Sequence, residues 1–260
     1  MPAGVGFGPL ELDFLWESLG TTELPYPFEQ YSHGSTVGER AALRRQVMAG
    51  LRDRRVLDDT GRVVPEVEDW LMLLATAELS VDAVFLPEGA AQGVRKVLAA
   101  GTAERAVLAR QDERGTWLAP LPPSALASAV VDELPAAGRG AEQSITLPTR
   151  ELTAAQQQGF RPVNSGRQSD EDTRTALARL FAQPRLRGGQ IAANARGRLG
   201  GRNRSRVLGW FDTESGRYLT QSSGGAGGEE WLTIAPADAP TLRHRIGELL
   251  NGVRASNGGR

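Results

Sequence analysis

The spacing of apolar residues changes character along this chain, and the changes outline its elements. Leu10, Leu12, Leu15 and Leu19 surround Phe14 and Trp16, which predicts a short helix. Pro25 and Pro27 bracket an extended piece from Tyr26 to Ser32. Thr36 fits a helix N-cap, with Glu39 three residues on as a capping box. Behind it Ala42, Leu43, Val47, Leu51 and Val56 fall near one stripe at helical period. The turn Asp58-Asp59-Thr60-Gly61 stops that stripe. Pro65 opens a further helix with acidic residues in its first turn, where the helix dipole favours them. Val67, Trp70, Leu71 and Leu74 form its apolar face.

The period then shortens. Leu79 to Leu86, Gly93 to Ala100, Glu104 to Gln111 and Thr116 to Pro120 read as four strands, the last two joined by the hairpin signal Asp112-Glu113-Arg114-Gly115. An amphipathic helix follows from Ser124 to Leu134. The second half repeats the order. A helix at Asp170 to Gln183 precedes strands at Gly189 to Arg196, Arg204 to Phe211, Arg217 to Thr220 and Glu230 to Ala235, and a helix from Ala239 to Val253 closes the chain. Aligning the two closing units sets Trp117 beside Trp231, Leu118 beside Leu232, and Asp112 beside Asp212. The expected fold is therefore α+β. A central antiparallel sheet forms from two duplicated halves of helix, four strands and helix, at about 65–135 and 169–253, joined about a quasi-twofold axis. Helices would cover one face and the ends, and a helical region at 10–57 precedes the halves within a single domain 1–260. Between the halves, the stretch from Leu147 reads first as helix and then, over 160–169, as a mobile loop. Ser222 to Glu230 and the tail after Val253 are expected to be flexible.

Composition removes most chemistry. There are no cysteines, which excludes disulfides, thiolate metal sites and cysteine nucleophiles. The net charge is −1, so no global excess points to nucleic acid or an acidic membrane. No apolar run is long enough to span a bilayer and the N-terminus lacks a signal-peptide pattern, so the expected location is the cytoplasm, without membrane insertion. Of thirty basic residues only Lys96 is lysine, a bias that fits a GC-rich genome.

Few groups remain as candidates. The Gly-rich runs 4–8 and 224–228 lack the strand–loop–helix context of a phosphate loop and read as loops. His33, in YSHGST, is a turn or capping histidine in the simpler reading; a hydrolase reading would need Ser32 or Ser35 as nucleophile, without a G-x-S-x-G elbow. His244, flanked by Arg243 and Arg245, reads as a solvated helix position. No carboxylate group has metal-ligand spacing, and neither metal nor cofactor is expected. Seven arginines lie between Arg185 and Arg206, and GRLGGRNR reads as a hairpin tip. That hairpin, 196–206, supports an alternative reading as a nucleic-acid-binding module, but no aromatic ladder accompanies it and nucleic acid is not the expected partner. In GQIAANAR, Gln190, Ala192, Asn194 and Arg196 share one face of a strand against Ile191, Ala193 and Ala195. Tyr218 and Thr220 likewise oppose Leu219. One sheet face is thus less apolar, and such a face can serve as a shallow platform for a partner.

Two blocks carry a family resemblance. YSHGSTVGERAALRRQVMAGLRDRRVLDDTGRVVPEVEDWLMLLA resembles the N-terminal region of the EspG family, the ESX (type VII) secretion-associated chaperones of actinobacteria. LRGGQIAANARGRLGGRNRSRVLGWFDTESGRYLTQ followed by GEEWLTIAPAD resembles its C-terminal part, most specifically in the Gly-Gln opening, the hairpin Asp212 to Tyr218, and Trp231 to Asp238. RRVLDD departs from the pattern, standing where a shorter Gly-containing turn is expected. The resemblance implies a non-catalytic cytosolic chaperone that binds PE–PPE heterodimers at the apolar tip of the PPE helical bundle. It would keep them soluble and direct them to the secretion system. The sheet-face reading places partner contacts on the second half at Gln190, Asn194, Arg196, Tyr218, Thr220 and Trp231, with a core role as the other reading of Trp231.

Overall fold

The structure, a computed structural model, describes residues 4–20, 24–90, 93–151, 168–197, 200–225 and 228–258. Among them one antiparallel sheet of eleven strands organises the chain. The N-terminal helices are α1 (Pro9–Ser18), α2 (Val37–Asp53) and α3 (Pro65–Thr76). Strands β2 (Leu79–Ala90), β3 (Arg95–Gly101), β4 (Ala106–Asp112) and β5 (Gly115–Leu121) form a meander, followed by a 3-10 turn and α4 (Leu126–Asp132). Helix α5 (Gln168–Ala182) leads into β7 (Arg187–Arg196), β8 (Arg202–Arg204), β9 (Leu208–Thr213), β10 (Gly216–Gly224) and β11 (Glu230–Pro236), and α6 (Ala239–Gly258) closes the chain. Two short strands complete the edges: β1 (Val5–Phe7) beside β5 and β6 (Ile145–Pro148) beside β11.

The strand order is β1-β5-β4-β3-β2-β7-β9-β10-β11-β6. It is symmetric about the central β2–β7 pair, which runs from Leu79↔Ala195 to Leu86↔Gly188. Each four-strand run is preceded by one helix and followed by another, as the repeated pattern in the sequence anticipates.

Helices cover both faces of the sheet, not one as expected. On the first face α4 and α6 bury Val81, Ala83, Phe85, Val97, Ile191, Leu208, Trp210 and Leu219 across both halves. On the second face α1, α2 and α3 cover Leu98, Ala100, Val107, Ala109 and Leu118 of the first meander. Helix α5 covers Phe211, Tyr218 and Ile234 of the other. The alternation along each strand leaves apolar residues on both sides, so both sides need a helical layer. Between these two groups of helices no helix packs on the second face over β2 and β7, where Gln190 is exposed while Asp82 and Ala192 are buried.

Several local expectations are corrected. The Gly-rich start is strand β1, because a bare Gly4 lets the backbone lie against the Trp117 ring, where a Cβ would come within 2.1 Å. The strand expected at Arg204 to Phe211 is two strands, β8 and β9, placed end to end along β7. Ser205 makes the break: its N–H donates to the Ala193 carbonyl and its hydroxyl accepts from the Ala193 N–H. Residues 222–224, expected to be flexible, are paired with β11 (Ser222↔Leu232, Gly224↔Glu230). The expected frayed tail is helical to Gly258. Leu147 lies in edge strand β6, which pattern reading missed. Residues 149–151 behind it are helical, as expected; the rest of that helix lies outside the described residues, as does the 160–169 loop except 168 and 169, which begin α5. At Arg55, within RRVLDD, the chain adopts φ 58°, the left-handed conformation that glycine would take without strain.

Candidate functional site

The residues of the C-terminal family block explain the scaffold first. Gly189 sits where β7 passes Phe85 and Trp210, whose rings pack 5.8 Å apart; a Cβ there would meet the Phe85 Cβ at 2.4 Å and the Val84 carbonyl at 2.5 Å. In the β9–β10 hairpin, Asp212 and Arg217 form a buried ion pair, with Nε to Oδ1 at 2.7 Å and Nη2 to Oδ2 at 2.8 Å. Arg187 donates to the same carboxylate at 2.7 Å. Gly216, at φ 118°, closes the turn against the Arg139 carbonyl, which a Cβ would meet at 2.5 Å. This hairpin is a clamp inside the fold, not an exposed contact.

The open part of the second face is built from alternate residues of neighbouring strands. Val84, Asp82 and Ser80 of β2 lie opposite Gln190, Ala192 and Asn194 of β7. Gly209 and Thr220 extend the Gln190 row across β9 and β10, and Lys96 extends the Val84 row onto β3. At the centre Asp82 is buried and fully engaged. It accepts from Asn194 Nδ2 at 2.7 Å and from Arg204 Nη2 at 2.9 Å, while Arg204 Nη1 donates to Asn194 Oδ1 at 3.1 Å. The Arg204 guanidinium lies 4.8 Å over the Tyr26 ring, which joins the N-terminal segment to the second half.

That segment, residues 24–36, runs as a strap along the edge of the open face. Gln111 pins it by accepting from Glu29 N–H (3.0 Å) and donating to the Glu29 carbonyl (3.1 Å). Lys96 pairs with the Glu29 carboxylate at 2.8 Å, and hydrogen bonds from Lys96 and Tyr31 hold that carboxyl below its usual value. The other end of the strap is tied to α1 through Asp13. Burial acts to raise the Asp13 carboxyl, but Arg40, the His33 N–H, Gln30 and the His33 ring together bring it down from 3.8 to about 2. Beneath the strap a cleft of about 490 Å³ opens beside Tyr26, Tyr31, Val84, Val94 and Lys96. Tyr26 and Tyr31 are 58% and 67% exposed and Val94 is 46% exposed. Large apolar and aromatic groups thus stand in water at a cleft rimmed by charges, the composition of a protein-binding surface.

Of the six residues expected at the site, five share this face and four of them lie on its helix-free part. Gln190 is exposed at its middle, Thr220 is half-buried beside Gly209, and Asn194 is part of the Asp82 cluster. Arg196 lies one rung beyond, opposite Arg202. The other two are corrections. Tyr218 has the expected orientation but is fully buried under α5, stacked on Phe211 at 5.5 Å, with its hydroxyl accepting from Glu142 N–H. Trp231 pairs with Ser223 and Pro148 at odd register from Thr220 and Ile234, so it stands on the opposite face. Tyr26, Tyr31 and Val94 were missed; the two prolines that flank Tyr26 were the signal the sequence held for this segment.

The other candidates resolve as structural. His33 Nδ1 is 3.3 Å from Asp13, Ser32 accepts from Arg40, and the Ser35 N–H donates to Glu39; among the described residues no hydrogen bond joins His33 to either serine. His244 is exposed on α6 beside Glu248. The Arg-rich segment forms the β7–β8 hairpin as expected, with Gly200 at φ 83°. Among the described residues there is no group of three or more potential metal ligands, and no helix long and apolar enough to cross a membrane.

Comparison with known proteins bears on this geometry. No curated protein sequence gives a significant match. A solved structure, that of the Mycobacterium tuberculosis type VII secretion system chaperone EspG5 in complex with the PE25-PPE41 dimer, matches with a TM-score of 0.73 at 15% identity, covering 96% of each chain. The similarity extends the shared fold over nearly the whole molecule. The model of the EspG family matches residues 9–248, and the chain belongs to that family.

Proposed function

We propose that this protein is a cytoplasmic chaperone of a type VII secretion system that binds a PE–PPE heterodimer and performs no catalysis. Family membership supports the role, as does the likeness to a chaperone captured with such a dimer. The observation that carries the site is the helix-free stretch of sheet between α1–α3 and α5, with the exposed Gln190 at its middle and Tyr26, Tyr31 and Val94 at its edge. A helical-bundle tip with apolar side chains is an aggregation hazard, and a mixed polar and aromatic surface can cover it and later release it. A stable, specific complex would bury about 1,200–2,000 Å² in total. Accordingly we place the contacts on Gln190, Asn194, Arg196 and Thr220 together with Tyr26, Tyr31 and Val94. We further infer that the halves at about 65–135 and 169–253 descend from one duplicated unit, a reading favoured by the symmetric strand order.

The test is co-expression with PE–PPE-like pairs from the same genome. A cognate pair should gain solubility and co-elute with the protein; failure of every pair to do either would overturn the reading.

A further inference from the structure

Arg196 and Arg202 face each other directly on the last rung of the β7–β8 hairpin, on the open face. The hairpin is closed behind them by the Gly197 N–H on the Gly201 carbonyl at 2.8 Å, so the backbone holds the pair together. Like charges placed directly opposite on a sheet repel. One rung inward the same arrangement is compensated: Arg204, opposite Asn194, carries the Asp82 carboxylate. At the outer rung, by contrast, neither arginine has an ion-pair partner among the described residues. Burial, and then the charge of Arg202, act together to lower the Arg196 guanidinium from its ordinary value. A carboxylate between the two guanidinium groups would convert the repulsion into a pair of charge-assisted hydrogen bonds.

We infer that the Arg196–Arg202 rung recognises a carboxylate-bearing segment of the protein partner docked on the open face. The inference rests on the partner-binding reading of that face. It assigns the rung to the rim, where charges set register and speed encounter. The geometry favours an acidic peptide over nucleic acid. Facing residues on a rung stand about 5 Å apart, room for a single carboxylate, whereas a strand of phosphates needs a row of free cations with aromatic rings to stack on. Here the next cation inward, Arg204, is neutralised by Asp82 and already covers the Tyr26 ring.

The test measures binding of poly-L-glutamate and of a single-stranded oligothymidylate by fluorescence anisotropy at low salt. The proteins compared are the wild type, the double variant Arg196→Gln/Arg202→Gln, and Arg45→Gln, a control at an exposed, unpaired position on α2. The double variant should bind poly-L-glutamate about five-fold more weakly, with the control unchanged. Without ligand its melting temperature should rise by about 1–2 °C as the repulsion is removed. Equal poly-L-glutamate binding by wild type and double variant overturns the inference. So does a pair of arginines on which only the oligothymidylate depends. A PE–PPE pair that co-elutes equally with both proteins would remove the inference and leave the proposed function standing. If no pair co-elutes even with the wild type, the function falls, and the poly-L-glutamate result still decides the site.

Discussion

Replacing Arg217 by alanine tests whether the Asp212–Tyr218 hairpin is an internal clamp. Asp212 and Arg217 are 1% and 2% exposed. Arginine at 217 makes two hydrogen bonds to the Asp212 carboxylate, donates to the Pro135 carbonyl at 2.6 Å, and lies 4.5 Å over the Trp210 ring. Alanine removes all of these. Breaking a buried pair by deleting one partner costs about 3–5 kcal/mol, because the other charge is left uncompensated. Asp212 keeps its bond from Arg187, which places the expected loss at the lower end, about 3 kcal/mol. At about 2–4 °C per kcal/mol for a chain of this size, the melting temperature should fall by about 6–12 °C. Thermal unfolding followed by circular dichroism reads this directly. The double variant Asp212→Leu/Arg217→Met leaves no unpaired carboxylate, though it strips the partly exposed Arg187 of its partner, and should recover part of the loss. A drop under about 2 °C for Arg217→Ala would refute the argument that the buried charge depends on this partner.

Other consequences follow from the same geometry. The Asp13 carboxyl has a folded value near 2 against 3.8 for the ordinary group, so its stabilisation is complete above pH 4 and is lost as the pH falls from about 4 to 2. This amounts to about 2 kcal/mol, and urea midpoints at pH 6 and pH 2.5 should differ by less in Asp13→Asn than in the wild type. Gly189→Ala should destabilise by about 1–3 kcal/mol, read as a lower urea midpoint, because the new methyl group meets Phe85 and the Val84 carbonyl. Tyr218→Phe removes the acceptor of the part-buried Glu142 N–H and should cost about 1–2 kcal/mol while leaving partner affinity unchanged, a combination that an exposed contact would not give.

Element type was legible wherever periodicity was long. Helices α2, α3, α5 and α6 and the eight strands of the two meanders follow from spacing and turn residues, since each helix buries one stripe and each strand is bounded by turn signals. The short edge strands β1 and β6 were not, because three or four residues carry no periodicity and their pairing is decided by Trp117 and Trp231 far along the chain. The break at Ser205 was hidden for a similar reason: a serine hydroxyl replaces a main-chain partner only once β7 is in place. At the site, alternation placed Gln190, Asn194, Arg196 and Thr220 on one face correctly. It could not say that α5 would bury Tyr218, nor that β11 would enter in the register that turns Trp231 away. The strap was illegible as a site element, because its aromatic residues reach the sheet through Glu29–Lys96 and Tyr26–Arg204 contacts between segments distant in sequence.

On the proposed function, the helix-free stretch of sheet at β2 and β7 receives a PE–PPE pair. Calorimetric titration of a co-eluting pair against the wild type and Gln190→Arg tests it most directly, because Gln190 is exposed and its substitution leaves the core intact. A long cation at the middle of the platform should weaken binding by about ten-fold or more, with unchanged thermal stability. An unaltered dissociation constant would place the partner elsewhere on the molecule.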